Sequence, residues 1–82
     1  MYRVKVYVTL KESVIDPEGE VAKKALQRQN YHEFKDVRFG KYIELAVSDV
    51  DDIKKRVEEV CSKLLVNTVI EEYRYEIEEV QG

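Results

Sequence analysis

The segment Tyr2-Arg3-Val4-Lys5-Val6-Tyr7-Val8-Thr9-Leu10 decides the fold, because its apolar and polar residues alternate almost without a break. Successive side chains of a strand point to opposite faces. Tyr2, Val4, Val6, Val8 and Leu10 therefore form one row, and Arg3, Lys5, Tyr7 and Thr9 the other. The reading is a strand with one buried face. Downstream, Asp16-Pro17 supplies an N-cap and a proline at the first helical position, where its missing N–H costs nothing. The helix that starts there carries a modest stripe of Val21, Ala22, Ala25 and Leu26, and is expected to end near Asn30 as the polar run Gln27-Arg28-Gln29-Asn30 takes over.

Between Asp36 and Val47 the apolar residues Val37, Phe39, Ile43, Leu45 and Val47 share one parity, interrupted only by Lys41. This predicts one long strand. The alternative, a two-residue hairpin at Gly40-Lys41, would set Arg38 opposite Ile43, a charge beside an apolar side chain on the same face. Ser48 or Asp49 is the expected cap of a second helix, whose stripe of Val50, Ile53, Val57, Val60, Cys61 and Leu64 holds the three-and-four spacing for about four turns. Asn67 suits a left-handed terminator. The last strand would place Val69, Tyr73, Tyr75 and Ile77 on one face and Glu72, Arg74, Glu76 and Glu78 on the other.

The order β-α-β-α-β, with one-sided helices and strands, implies an α+β two-layer sandwich: two helices on one face of a small sheet, in a single domain spanning residues 1–82. Such a sheet leaves edges and a face open, so sheets associating between subunits are expected. The first strand is basic on its second face and the last mainly acidic. They are either neighbours in one subunit or meet across two. Six tyrosines, with Tyr7 on the open face, suit a homo-oligomeric interface.

Small domains commonly need reinforcement by disulfides, metals or association. One cysteine, Cys61, and one histidine, His32, cannot build a disulfide framework or a Cys/His metal site, so association remains. A net charge of −3 gives no general attraction to nucleic acid or anionic membranes. No apolar run approaches the length of a signal or spanning segment, and the expected location is cytoplasmic.

Chemistry is sparse. Cys61 lies on the apolar stripe of the second helix and reads as an inert buried thiol. His32, beside Glu33 in a turn, reads as a surface residue. The acid pairs Asp51-Asp52, Glu58-Glu59, Glu71-Glu72 and Glu78-Glu79 each have a structural explanation, since neighbouring strand residues face opposite ways and a helix's first turn favours acids. Gly19, Gly40 and Gly82 are too far apart for a phosphate loop. No catalytic, metal-binding or cofactor-binding residue is assigned. Lys35, Arg38 and Lys41 gather around Gly40, forming either a solvated edge or a contact for an acidic partner surface.

Three blocks of this chain resemble the PurS family. They are Val4-Lys5-Val6-Tyr7-Val8-Thr9-Leu10-Lys11 running into Asp16-Pro17-Glu18-Gly19, then Asp36-Val37-Arg38-Phe39-Gly40-Lys41-Tyr42-Ile43-Glu44-Leu45, then Leu64-Leu65-Val66-Asn67-Thr68-Val69-Ile70-Glu71 leading to Tyr73 and Glu76. Together they span nearly the whole chain in the family's order, with Thr68 where many members carry proline. The resemblance implies the small subunit of an enzyme that converts formylglycinamide ribonucleotide, ATP and glutamine into formylglycinamidine ribonucleotide, ADP, phosphate and glutamate. It implies a glutaminase subunit, a large synthetase subunit that holds ATP and Mg, and a small subunit, dimeric or tetrameric, that docks the two and helps ammonia pass. On that reading the partner contacts are Arg38, Gly40 and Lys41 first, and the loop of Asp16, Pro17 and Gly19 second.

An ACT-like module that binds small ligands is the alternative, but the glycine-bearing loop it needs is absent from Lys11-Glu12-Ser13-Val14-Ile15. An acylphosphatase-like enzyme fails for the same reason. An RNA-binding sheet needs exposed aromatics among basic residues, and only Tyr7 beside Lys5 hints at one.

Overall fold

The alternating first segment forms the central strand of the sheet in a computed structural model that describes residues 1–81. The elements are β1 (Tyr2–Leu10), α1 (Pro17–Arg28), β2 (Gly40–Val47), α2 (Ile53–Val60) with a π-helical turn (Cys61–Leu65), and β3 (Glu71–Glu79). The sheet order is β2-β1-β3, with β1 antiparallel to both neighbours. The order β-α-β-α-β is thus the one the sequence predicts. Since β2 and β3 run parallel on either side of β1, the α2 connection between them must cross over β1. Val4, Val6 and Val8 are accordingly fully or almost fully buried, and they form the core with Val57, Cys61 and Val66. Each such valine contributes roughly 1.5–3 kcal/mol by leaving water. Ile43, Leu45 and Val47 of β2 and Tyr73, Tyr75 and Ile77 of β3 pack around that centre.

The two helices approach the sheet differently. Among the described residues, α1 contributes no side chain to the core, its buried residue is Gly19, and Val21 on its apolar stripe is 65% exposed. A compact domain of this length has a radius of gyration of about 12 Å. Here it is 16.7 Å, with a long axis of 51 Å.

Several local expectations are corrected. The second strand begins at Gly40, not Asp36, because β1 ends at Leu10 and leaves the residues before Gly40 no partner strand. Gly40 and Lys41 lie within the ladder, opposite Thr9 and Val8, so no hairpin forms there. The second helix starts at Ile53, capped by neither Ser48 nor Asp49. The Asp49 carboxylate pairs with the Met1 amino group, and the chain turns through Asp52, which adopts φ 54° and whose carbonyl accepts the Arg56 N–H. Aspartate tolerates that left-handed conformation better than most residues.

The π turn explains the next departure. The Val66 N–H donates to the Cys61 carbonyl five residues back, so the turn holds one more residue than an α-helical turn and the helix face rotates. Leu64 is carried out to 80% exposure, while Leu65 and Val66 turn inward. Asn67 is not left-handed. Its side-chain oxygen instead accepts the Val69 N–H in a local turn, which leaves Val69 exposed ahead of the strand. The left-handed asparagine is Asn30, at φ 69°. There the Tyr31 N–H reaches the Leu26 carbonyl and the Asn30 N–H the Gln27 carbonyl, the paired bonds of a Schellman stop.

Candidate functional site

Asp16, Pro17 and Gly19 and the strip of Arg38, Gly40 and Lys41, read from sequence as two separate sites, are brought together at the end of the sheet where β1 stops and β2 and β3 begin. The Asp16 carboxylate, 7% exposed, accepts the Phe39 N–H at 2.7 Å. That bond, then the amide of Gly19 and the nearby charge of Arg38, holds its carboxyl below the usual aspartate value. Pro17 occupies the first helical position as expected.

Gly19 is in this joint because nothing larger fits. A Cβ there would lie 2.2 Å from the Val37 carbonyl oxygen and 2.7 Å from the Asp16 carboxylate. A Cβ on Gly40 would lie 2.6 Å from the Val8 carbonyl oxygen. Both glycines are therefore close-approach positions.

Arg38 turns inward along the chain. Its guanidinium donates to the carbonyls of Lys11 at 3.1 Å, Leu10 at 3.3 Å and Val14 at 3.5 Å, clasping the loop between β1 and α1. Lys11 and Val14 lie beyond the end of β1, and a fork of N–H donors suits their carbonyls. Lys41 reaches across the end of β1 to Glu71 at 3.6 Å. The Glu71 side chain is 12% exposed, and its other oxygen accepts the Asn67 N–H at 2.8 Å. Lys35 is exposed.

Glu71, Asn67 and the Phe39 amide escaped the sequence reading. A signal for Glu71 was present. It shares the core-facing parity of Tyr73, Tyr75 and Ile77, just as Lys41 shares that of Ile43 and Leu45, so each is a charge on an apolar row. Two such exceptions flanking the end of one strand point to a pair. The cleft bounded by Val8, Leu10, Asp16, Phe39, Lys41 and Glu71 has a volume of about 190 Å³. Small-molecule sites usually occupy roughly 300–1,000 Å³.

On the open face of the sheet, the first and last strands prove to be neighbours within one chain. Lys5 pairs with Glu78 at 3.0 Å, a hydrogen-bonded contact that raises the lysine's pKa, and Arg3 approaches Glu44 at 3.7 Å. The Tyr7 ring lies 5.3 Å from that of Tyr42, and the Arg74 guanidinium stands 4.0 Å from the Tyr7 centroid. Cys61 is fully buried, which pushes its thiol up, and His32 lies exposed in its turn. Among the described residues, no three His, Cys, Asp or Glu side chains gather in a way that could hold a metal ion. No helix among them is long and apolar enough to cross a membrane.

Comparison with known proteins gives an end-to-end likeness. The family model described as PurS, phosphoribosylformylglycinamidine (FGAM) synthase, matches residues 3–79. The phosphoribosylformylglycinamidine synthase subunit PurS of Bacillus subtilis is 58% identical over 81 residues, covering 98% of this chain and 96% of that one. Its solved structure superposes with a TM-score of 0.90 at 57% identity, over 96% of this chain and all of the other. A chain in a structure of PurLQS from Thermotoga maritima gives a TM-score of 0.78 at 29% identity, with 94% and 96% covered.

Proposed function

This chain belongs to the PurS family, and from that membership we propose that it serves as a subunit of phosphoribosylformylglycinamidine synthase in purine biosynthesis, holding a glutaminase subunit against an ATP-dependent synthetase subunit. The observation that carries the reading is the match itself, which runs from residue 3 to residue 79, nearly the full chain. The work of this chain is positional. Ammonia released by one active site is lost to water or protonated unless it passes directly to the next, so a subunit that keeps two sites in register raises turnover without touching the reacting atoms. ATP and Mg belong on the synthetase subunit, and this chain acts as a homo-oligomer, a dimer or tetramer, in the cytoplasm.

The joint at the end of the sheet supports a modified view of its contact residues. Arg38 and Asp16 spend their hydrogen-bonding capacity inside the chain, so their role is to shape the surface a partner meets. Lys41, with its side chain 68% exposed, is the charge of this group best placed to meet a partner directly.

Reconstitution tests the reading. Purified synthetase and glutaminase subunits are assayed for glutamine-dependent product with and without this chain, and the synthetase alone with added ammonium. Dependence on this chain for glutamine but not for ammonium is the expected result. Equal glutamine-dependent turnover without it would sink the proposal.

A further inference from the structure

We propose that the Gly40 end of the sheet docks a partner subunit through Leu64, Val69 and Ile15, and that the matching surface of that subunit is an apolar ridge flanked by carboxylates. The inference rests on the subunit role proposed above, and adds where the contact lies and what it requires of the partner.

Among the described large apolar side chains these three are the most exposed, at 80%, 78% and 79%. Apolar residues scattered singly over a surface need no explanation. These are not scattered. They come from the π turn, the turn before β3 and the loop between β1 and α1, three segments that backbone bonds draw to one end of the sheet. The Lys11 N–H donates to the Ile70 carbonyl at 2.9 Å, and the Val14 N–H to the Lys11 carbonyl at 2.9 Å. The Ile70 and Glu71 N–H groups both donate to the Asn67 carbonyl.

Each of the three is also held outward by an identifiable device. A continuous α-helical spacing would put Leu64 on the stripe of Val57, Val60 and Cys61, and the π turn rotates it into water instead. That arrangement forgoes the gain of burying a leucine, and π turns are frequent at functional sites. The Asn67 side chain accepts the Val69 N–H and so fixes Val69 in a turn ahead of the strand. Ile15 is bracketed by Asp16, which binds the Phe39 N–H, and by Val14, whose carbonyl accepts from Arg38. The patch is thus formed within the single chain, which limits the ordering cost of binding.

Charge sets the chemistry of the partner. Segments 11–15 and 61–70 hold Lys11 and Lys63 against one acid, Glu12, in a chain whose net charge is −3. Lys41, in the adjoining cleft, keeps its side chain 68% exposed. An apolar centre with a basic margin is complemented by aliphatic side chains with Asp or Glu beside them.

Titration of the reconstituted synthase tests the proposal. Wild type, Leu64→Glu, Val69→Glu and Leu64→Met chains are each added to fixed synthetase and glutaminase subunits, and the concentration giving half-maximal glutamine-dependent turnover is read. Each glutamate should raise that concentration at least about tenfold, as loss of a central contact does, whereas Leu64→Met should stay near wild type. Ammonium-dependent turnover of the synthetase should not change. If wild type itself fails to raise glutamine-dependent turnover, the subunit role falls and this surface with it. If wild type works and both glutamate variants titrate like it, the surface alone is wrong. Sedimentation equilibrium is run on every chain, and variants that come apart to 9.7 kDa where wild type does not would make the patch a contact between copies and overturn the proposal. Should Leu64→Glu fail to fold by circular dichroism, Val69→Glu, which lies outside the strands and helices, decides the matter.

Discussion

The Phe39 amide donates a hydrogen bond to the Asp16 carboxylate at 2.7 Å, joining the start of α1 to the residue before β2 across 23 positions of sequence. Alanine leaves a part-buried N–H unpaired and asparagine replaces a charged acceptor by a weaker amide oxygen, so Asp16→Asn and Asp16→Ala should both lower the urea midpoint, the alanine more. The carboxyl's pKa is depressed in the folded chain. Its contribution is therefore present above the unfolded aspartate value, near 3.8, and is lost as pH falls through the lower folded value. The stability gap between wild type and Asp16→Asn should narrow below about pH 4. A gap that is flat from pH 7 to pH 2 would show that the bond contributes nothing through ionisation.

Gly19→Ala in the first turn of a helix would ordinarily stabilise, by up to about 1 kcal/mol. The 2.2 Å approach to the Val37 carbonyl reverses the sign. A loss of roughly 1–3 kcal/mol is expected for Gly19→Ala, and a smaller one for Gly40→Ala, where the approach is 2.6 Å. Urea unfolding of the two variants measures both, and a stabilised Gly19→Ala chain would refute the close-approach reading.

Lys41 and Glu71 should prove unequal partners. Lys41→Ala removes one exposed end of an ion pair and should cost about 0–1 kcal/mol. Glu71→Ala also orphans the Asn67 N–H and should cost about 1–2 kcal/mol. A double-mutant cycle separates the two terms, and equal single effects would mean that the turn does not depend on Glu71.

Tyr75 donates its hydroxyl to Glu58 at 2.6 Å, and that bond, helped by burial, pushes its pKa up to about 12. A raised phenol pKa contributes stability that is intact below the ordinary value near 10 and is lost as pH rises toward 12. In a spectrophotometric titration Tyr75 should ionise after the exposed tyrosines, and Glu58→Gln should bring it down toward the ordinary value. An unchanged titration in Glu58→Gln would remove Glu58 as the cause.

The sequence disclosed most where structure follows from local periodicity. Alternation in Tyr2–Leu10 needs nothing beyond the pleat of a strand, and Pro17 after Asp16 needs nothing beyond the geometry of a helix start. Spacing alone could not show the π turn at Cys61–Leu65, because no residue type marks the extra position, and Leu64 was consequently placed inside. The strand before Gly40 was over-extended because parity reports which way side chains point and not whether a partner strand is there. Of the candidate site, Asp16, Pro17, Gly19, Arg38, Gly40 and Lys41 meet at the end of the sheet, whereas Lys35 is simply exposed. What escaped was their mutual engagement, since the bonds from Arg38 to Leu10 and from Phe39 to Asp16 join positions more than twenty residues apart.

The central place of β1 also sets the order of events at the ribosome. This strand leaves the exit tunnel ahead of both its partners, yet Tyr2 must pair with Val47 on one side and Glu79 on the other. Until the far end of the chain is synthesised, the row of Val4, Val6 and Val8 has no complete cover. Such distant pairing makes for slow maturation and a nascent chain prone to aggregate. Arg3, Lys5 and Thr9, which with Tyr7 take every second position between the apolar residues, keep that waiting strand soluble.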